Sequence, residues 1–319
     1  MRVVTDDKHY HDIGEAIREK NGTETQYKPS EMADAVRAIE SGGGGADDAW
    51  EQAEYAFSNG FTKYNSYFAD NNVITEVPAG LLRHTSSATK FSSMFSGCNE
   101  LTSAPQFDTS SGTNFNYMFN TCYKLTSIPQ LNTSSGTSFA MMFGSCKKLT
   151  TIPQLDTSSG TDFSSMFSGC TELTEVPQLD TSSGTAFNSM FSSCAKLTTI
   201  PQLDTSSGTA FSSMFRLCKA LITIGGIDLS NATLISTMFD SCSKLENITI
   251  NGVIKITGLS FSPCTKLTHT SLMSIINALY DHASAGSTGT YTLTLGSTNL
   301  AKLTDAEKAI ATQKGWTLA

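Results

Sequence analysis

The apolar positions of the chain recur on a fixed beat. Phe115, Met118, Phe119 and Cys122 reappear as Phe139, Met142, Phe143, Cys146 and as Phe163, Met166, Phe167, Cys170. The spacing i, i+3, i+4, i+7 predicts a short helix of about two turns with one apolar stripe. After each cysteine, Leu125 and Ile128 lead into an extended segment closed by Pro129, matched by Leu149, Ile152, Pro153 and by Leu173, Val176, Pro177. A proline in every copy removes a backbone donor, so the predicted strand is very short. A polar turn follows, Asp156-Thr157-Ser158-Ser159-Gly160 in one copy, whose Asp and Ser side chains suit bonding to nearby amides. Thr161 is placed to N-cap the next helix.

The cysteines measure the period. Cys98, Cys122, Cys146, Cys170, Cys194, Cys218 and Cys242 are 24 residues apart, and Cys264 follows after 22. A constant period of this length is the signature of a solenoid, in which each unit buries its apolar face only against its neighbours. Tyr64, Tyr67, Phe68, Asn71, Ile74, Val77 and Pro78 extend the series, with Asn71 in the cysteine place. Towards the far end Gly225, Gly226 and Ile227 replace the Pro-Gln-Leu step, and Ile248-Thr249-Ile250 replaces it with a more regular strand. The predicted fold is an α/β repeat solenoid of about nine coils over residues 64–267. Bulky helices on one flank and strands about 4.8 Å apart on the other should bend it into a horseshoe with the strands on the concave face.

The flanks differ from the repeat. Residues 1–40 carry two amphipathic stretches, Tyr10, Ile13, Ile17 and Met32, Ala35, Val36, Ile39, broken by Asn21-Gly22 and Lys28-Pro29-Ser30. Such a helical hairpin has little core of its own, so it is expected to dock onto another component or to self-associate. The glycine-rich residues 41–46 form a flexible linker, and residues 47–63, with Trp50, Ala53 and Phe57, form an N-terminal cap. Residues 268–319 are expected to form an α/β C-terminal cap. It has a helix around Ser271 to Tyr280, a strand at Tyr291–Leu295 and a capping-box helix opening at Thr304-Asp305-Ala306-Glu307.

The net charge of -8 over 319 residues supplies no basic stripe for nucleic acid. No apolar run approaches the about 18 residues of a membrane span, and the opening residues lack the apolar core of a secretory signal. Equivalent positions in stacked coils point in parallel, so the eight cysteines are expected to be a buried column of free thiols rather than disulfides. No zinc spacing is present. His9 and His11 with Asp12 are better read as solvated than as metal ligands, and His84, His269 and His282 are isolated. No catalytic motif stands in a convincing setting, so no enzyme and no cofactor is expected.

The unit L-T-x-I-P-x-L-D-T-S-S-G-T-x-F-x-x-M-F-x-x-C resembles the BspA-like class of bacterial leucine-rich repeats, over about 200 residues. The opening H-D-I-G-E-A-I-R-E-K-N-G resembles a module of tail and baseplate proteins of phages of Gram-positive bacteria. The closing L-T-L-G-S-T-N-L-A-K-L-T-D-A-E-K resembles endings of phage tail-associated repeat proteins. The resemblances imply a non-enzymatic virion component. Residues 1–40 would attach it to other tail or baseplate proteins, and the solenoid would bind a glycan or protein of the host surface. A bacterial cell-surface adhesin is the alternative.

The candidate ligand face is the strand side, with columns of Thr126, Thr150, Thr174, Thr198 and of Gln130, Gln154, Gln178, Gln202. Rows of hydroxyls and amides suit a glycan or extended polymer, although the same residues also serve simply to solvate a sheet. The pairs Tyr123-Lys124, Lys147-Lys148 and Thr171-Glu172 form a second surface. Asp156, Asp180, Asp204 and Asp228 form an acidic column in which turn capping is favoured over calcium binding.

Overall fold

The computed structural model describes residues 68–319 apart from 73, 78–81, 83 and 84. The attachment module, linker and N-terminal cap expected at 1–40, 41–46 and 47–63 lie outside the described residues. So do Tyr64, Tyr67, Pro78, His9, His11, Asp12 and His84. The described chain winds as coils in parallel register, each position facing its equivalent in the next. Bridges join Lys90 to Asn114, Asn114 to Ser138, Ser138 to Asp162, Asp162 to Ala186 and Ala186 to Ala210. The repeat solenoid expected from the cysteine spacing is present; the helix expected on its flank is not.

The Phe-x-x-Met-Phe-x-x-Cys segment is instead a run of tight turns. Met118, Asn120 and Cys122 amides donate to the Phe115, Tyr117 and Phe119 carbonyls at 3.0–3.2 Å, while Phe115, Tyr117, Phe119 and Thr121 amides donate to Ser138, Ala140, Met142 and Gly144 of the next coil at 2.7–3.0 Å. Turning alternate amides outward puts two residues per coil in the left-handed region, as at Tyr117 (φ 59°) and Thr121 (φ 61°), or Ser189 (φ 55°) and Ser193 (φ 64°). That conformation costs an L-residue about 1–2 kcal/mol, offset by the inter-coil hydrogen bond it allows. Phe115, Met118, Phe119 and Cys122 are fully buried even so, because successive turns also return side chains inward every third or fourth residue. Two earlier expectations are corrected. α-Helices occur only in the C-terminal cap among the described residues, so the coils themselves are not α/β. The helix bulk that was to bend the stack into a horseshoe is also missing.

Two files of phenylalanine rings run through the core. Phe91, Phe115, Phe139, Phe163, Phe187 and Phe211 stack with centroids 5.5–5.7 Å apart and planes within 12°. Phe95, Phe119, Phe143, Phe167, Phe191, Phe215 and Phe239 stack likewise at 5.2–5.9 Å with planes within 15°. These are offset-stacked separations, contributing about 0.5–1.5 kcal/mol per pair beyond area burial. The rings dictate the glycine of the polar turn: a Cβ on Gly136 would lie 2.6 Å from Cζ of Phe139 and 3.0 Å from Cε2 of Phe115.

On the opposite flank the ladder is discontinuous wherever proline stands. Regular strands appear on this flank from the last proline coil onward: β1 (Thr199–Ile200), just before Pro201, β2 (Thr223–Asp228) and β3 (Asn247–Asn251) form a parallel sheet. Ile248-Thr249-Ile250 forms the more regular strand expected of it, whereas Gly225-Gly226 sits at a register shift, the pairing passing from Ile224–Ile248 to Ile227–Ile250. Asn71, standing in the cysteine place, bonds backbone across the turn, its Oδ1 accepting from the Ile74 amide at 3.0 Å.

The stack ends in a cap of α1 (His269–Asn277), β4 (Tyr291–Leu293), α2 (Ser297–Leu300), α3 (Asp305–Gln313) and β5 (Trp316–Leu318), with β4 and β5 parallel. The capping box at Thr304 and Glu307 is formed. Buried Asn299 terminates the ladder by donating through Nδ2 to the Phe261 and Cys264 carbonyls at 3.3 and 3.2 Å, and Lys302 Nζ donates to the Thr265 and Leu267 carbonyls.

The turn ribbon and a helix respond oppositely to one substitution. Gly97 and Gly169 already occupy the left-handed position that Ser193 holds. Ser193→Gly is expected to stabilise the protein by about 0.5–1 kcal/mol in urea unfolding. In a helix the same change would destabilise by a similar amount.

Candidate functional site

Two adjoining depressions of about 940 and 730 Å³ lie along one corner of the stack. Gln106, Gln130 and Gln154 line the first with Asp108, Asn132 and Asp156, and Gln154, Gln178 and Gln202 line the second with Asp156, Asp180 and Asp204. Sharing Gln154 and Asp156, they form one groove crossing five coils.

The glutamines are held by the gap that proline leaves. Pro129 and its equivalents have no amide to give the ladder, and the following glutamine supplies a donor from its side chain. Nε2 of Gln106, Gln130, Gln154 and Gln178 donates to the carbonyl of Gln130, Gln154, Gln178 and Gln202 at 2.6–2.7 Å. The amide nitrogen is thereby fixed. The Oε1 atoms accept no hydrogen bond among the described residues and remain available along the groove.

The aspartates face them. Oδ1 of Asp156 accepts from Ser158 amide and hydroxyl at 3.1 and 2.7 Å, and Asp180 and Asp204 take Ser182 and Ser206 in the same way. The serine hydroxyl, with the amide behind it, holds each of these carboxyls below the usual carboxylate range. Capping is thus the local role of the column. Asp228 lies outside the groove in β2 and accepts from the Ser230 amide. Among the described residues no group of His, Cys, Asp and Glu is placed to hold a metal ion.

Of the sequence-derived candidates, Gln130, Gln154, Gln178 and Gln202 come together in the groove. Thr126, Thr150, Thr174 and Thr198 are exposed but outside its lining. Thr126 and Thr174 hydroxyls donate to the Thr102 and Thr150 carbonyls at 3.1 and 3.3 Å. Thr161 is not a helix cap; its amide and hydroxyl both donate to the Thr137 carbonyl. The sequence reading missed a second threonine file, Thr109, Thr133, Thr157 and Thr181, buried beneath the groove with each hydroxyl 2.7 Å from a carbonyl of the next coil. The repeated Asp-Thr-Ser-Ser-Gly carried that signal, since only the aspartate and serines were assigned partners there. The pairs after each cysteine form a separate corner, where Lys124 and Lys196 bond Glu100 and Glu172 and Lys147 lies 4.2 Å above the Tyr123 ring. His269 pairs with Glu307, and buried His282 stacks on Tyr291.

All eight cysteines, Cys98, Cys122, Cys146, Cys170, Cys194, Cys218, Cys242 and Cys264, are free and buried. From Cys98 to Cys242 each thiol donates to a phenylalanine carbonyl of the preceding coil at 3.0–3.1 Å, Cys146 to Phe119 for example. That carbonyl is one the turn ribbon leaves without a backbone partner in the next coil. Burial pushes the thiols up, Cys170 and Cys218 to about 12.

The fold and groove define a class: a parallel-coil repeat solenoid carrying a polar groove that repeats once per coil. The chain belongs to the family described as "Mycoplasma protein of unknown function, DUF285", which matches residues 62–175 and again 137–252. This agrees with the BspA-like character of the repeat. Among solved structures, the crystal structure of the T. pallidum leucine rich repeat protein (TpLRR) is similar at 20% identity, covering 59% of this chain and 74% of that chain with a TM-score of 0.36. No curated protein matches the chain.

The thiol column makes stability fall at alkaline pH. Folded thiols titrate above the unfolded value of about 8.5, so their contribution is complete below that pH and is lost as pH rises towards the folded values. Urea unfolding should show constant stability from pH 6 to 8. Between pH 9 and 12 it should decline by up to about 1.4 kcal/mol per pH unit for each thiol. Cys146→Ala with Cys170→Ala should make that decline shallower.

Proposed function

We propose that the chain is a non-enzymatic, phage tail-associated protein of leucine-rich-repeat type, whose solenoid binds a ligand on the host cell surface and whose residues 1–40 attach it to other tail or baseplate proteins. The observation that supports ligand binding most is the groove, where acceptor atoms on Gln and Asp face solvent in register across five coils. The virion assignment draws on the sequence resemblance of the two ends to phage tail proteins. A bacterial cell-surface adhesin is the second reading, favoured by the repeat itself, since that class of repeat occurs in adhesins.

Deleting residues 1–45 separates these roles. The truncated chain is expected to keep the far-ultraviolet spectrum of the coils and its binding to host cells, but to be missing from purified particles by immunoblot. Unchanged incorporation into particles would remove the attachment role. Detection on the surface of intact bacteria, with none in particles, would replace the virion reading by the adhesin.

A further inference from the structure

We propose that the groove takes an extended glycan bearing free amino groups, laid along the stack at about one sugar residue per coil. This rests on the ligand-binding reading above and names the chemistry of that ligand.

Charge is segregated in the molecule. The groove lining contains Asp108, Asp156, Asp180 and Asp204 and no Lys, Arg or His. The carboxylates bond only to neutral serine groups. Lysines gather instead at the corner after each cysteine, where Lys124 and Lys196 are paired with glutamates. Coils at ladder spacing, about 4.8 Å, bring like charges within a Debye length of one another, and nothing in the groove neutralises them. A ligand with one cation per step would.

The hydrogen-bonding sense agrees. The side-chain donors of Gln106, Gln130, Gln154 and Gln178 are occupied by backbone carbonyls, so the groove offers mainly acceptors: the Gln Oε1 row on one side, and Oδ2 of Asp156, Asp180 and Asp204 on the other. It has no cationic side chain to hold a phosphate or carboxylate, which sets polyanionic wall polymers aside. A peptide strand would need free backbone carbonyls and amides, and the glutamine carbonyls at the groove edge are already bonded by the neighbouring side chains. A glycan presents donors along both edges of each ring, matching two acceptor rows. Asn132 is a natural neutral step in the acidic file, and its Oδ1 accepts from Ser134 as the aspartates accept from their serines.

The test is a calorimetric titration of the full chain with chitosan oligomers of two to six residues, the matching N-acetylated chitin oligomers, hexalysine and heparin. Affinity should rise with chitosan length to about five residues. The chitosan hexamer should bind about tenfold more tightly than the chitin hexamer, and heparin should not bind. Asn132→Asp, which fits the existing turn, should raise chitosan affinity about threefold, and Asp156→Asn with Asp180→Asn should lower it about tenfold, with circular dichroism unchanged. Equal binding of chitin with a silent Asn132→Asp would overturn the charge assignment. Hexalysine binding as tightly as the chitosan hexamer would overturn the glycan assignment. If no oligomer binds while the chain still binds Gram-positive cells, this proposal falls and the ligand-binding reading stands; if neither occurs, both fall.

Discussion

Everything in this molecule depends on like stacking on like at one fixed step. A phenylalanine ring lies on the phenylalanine of the next coil, a threonine hydroxyl reaches the carbonyl of the next coil, and a thiol reaches the phenylalanine carbonyl of the coil before. None of these contacts can be made by a single coil, because the turn ribbon sends alternate amides across to its neighbour. Even the left-handed residues Tyr117 and Thr121 are tolerable only through that neighbour. Stability in such a stack accrues at the interfaces between units, as expected of a nearly one-dimensional array.

The same register builds the groove. Proline interrupts the backbone ladder once per coil, glutamine replaces the missing donor, and the replacement leaves its carbonyl oxygen facing out at every step. The aspartate of the polar turn is held by its own serine and leaves its second oxygen free. A structural repair and a turn cap, repeated in register, become two parallel rows of acceptors. The cap closes the stack by the same logic in reverse. Asn299 occupies the role that the next thiol would have filled at the Phe261 carbonyl, and the aromatic cluster of His282, Tyr291 and Trp316 covers the end.

Period and core were legible in the sequence because they depend on which residues recur, and the cysteine spacing and Phe-Met-Phe stripe state that directly; the strand at Tyr291 and the helix opening at Thr304 were legible from local alternation and a capping box. The secondary structure of the turn flank was not. An apolar repeat at i, i+3, i+4, i+7 arises from a helix and from overlapping turns alike. The distinguishing signal lay in the polar residues: Ser189, Ser193 and Thr121 stand where a helix would favour alanine, leucine or lysine. The candidate site was half legible. Gln130, Gln154, Gln178 and Gln202 were singled out for their alignment, but their grouping with the aspartates instead of Thr126 and its equivalents depends on the corner geometry, which strand alternation does not describe. Buried Thr133 and Thr157 escaped notice because a threonine in a Ser-rich turn reads as solvated.

The dependence on register is tested most directly by deletion. Removing residues 147–170 takes out one 24-residue period and rejoins equivalent positions, whereas removing 147–169 leaves the chain one residue out of step. Urea unfolding should show the first variant folding cooperatively with stability reduced by one coil's worth of contacts. The second should lose the cooperative transition or split it at the junction. Equal stability of the two variants would contradict the account, for it would mean that the coils do not need to meet like on like.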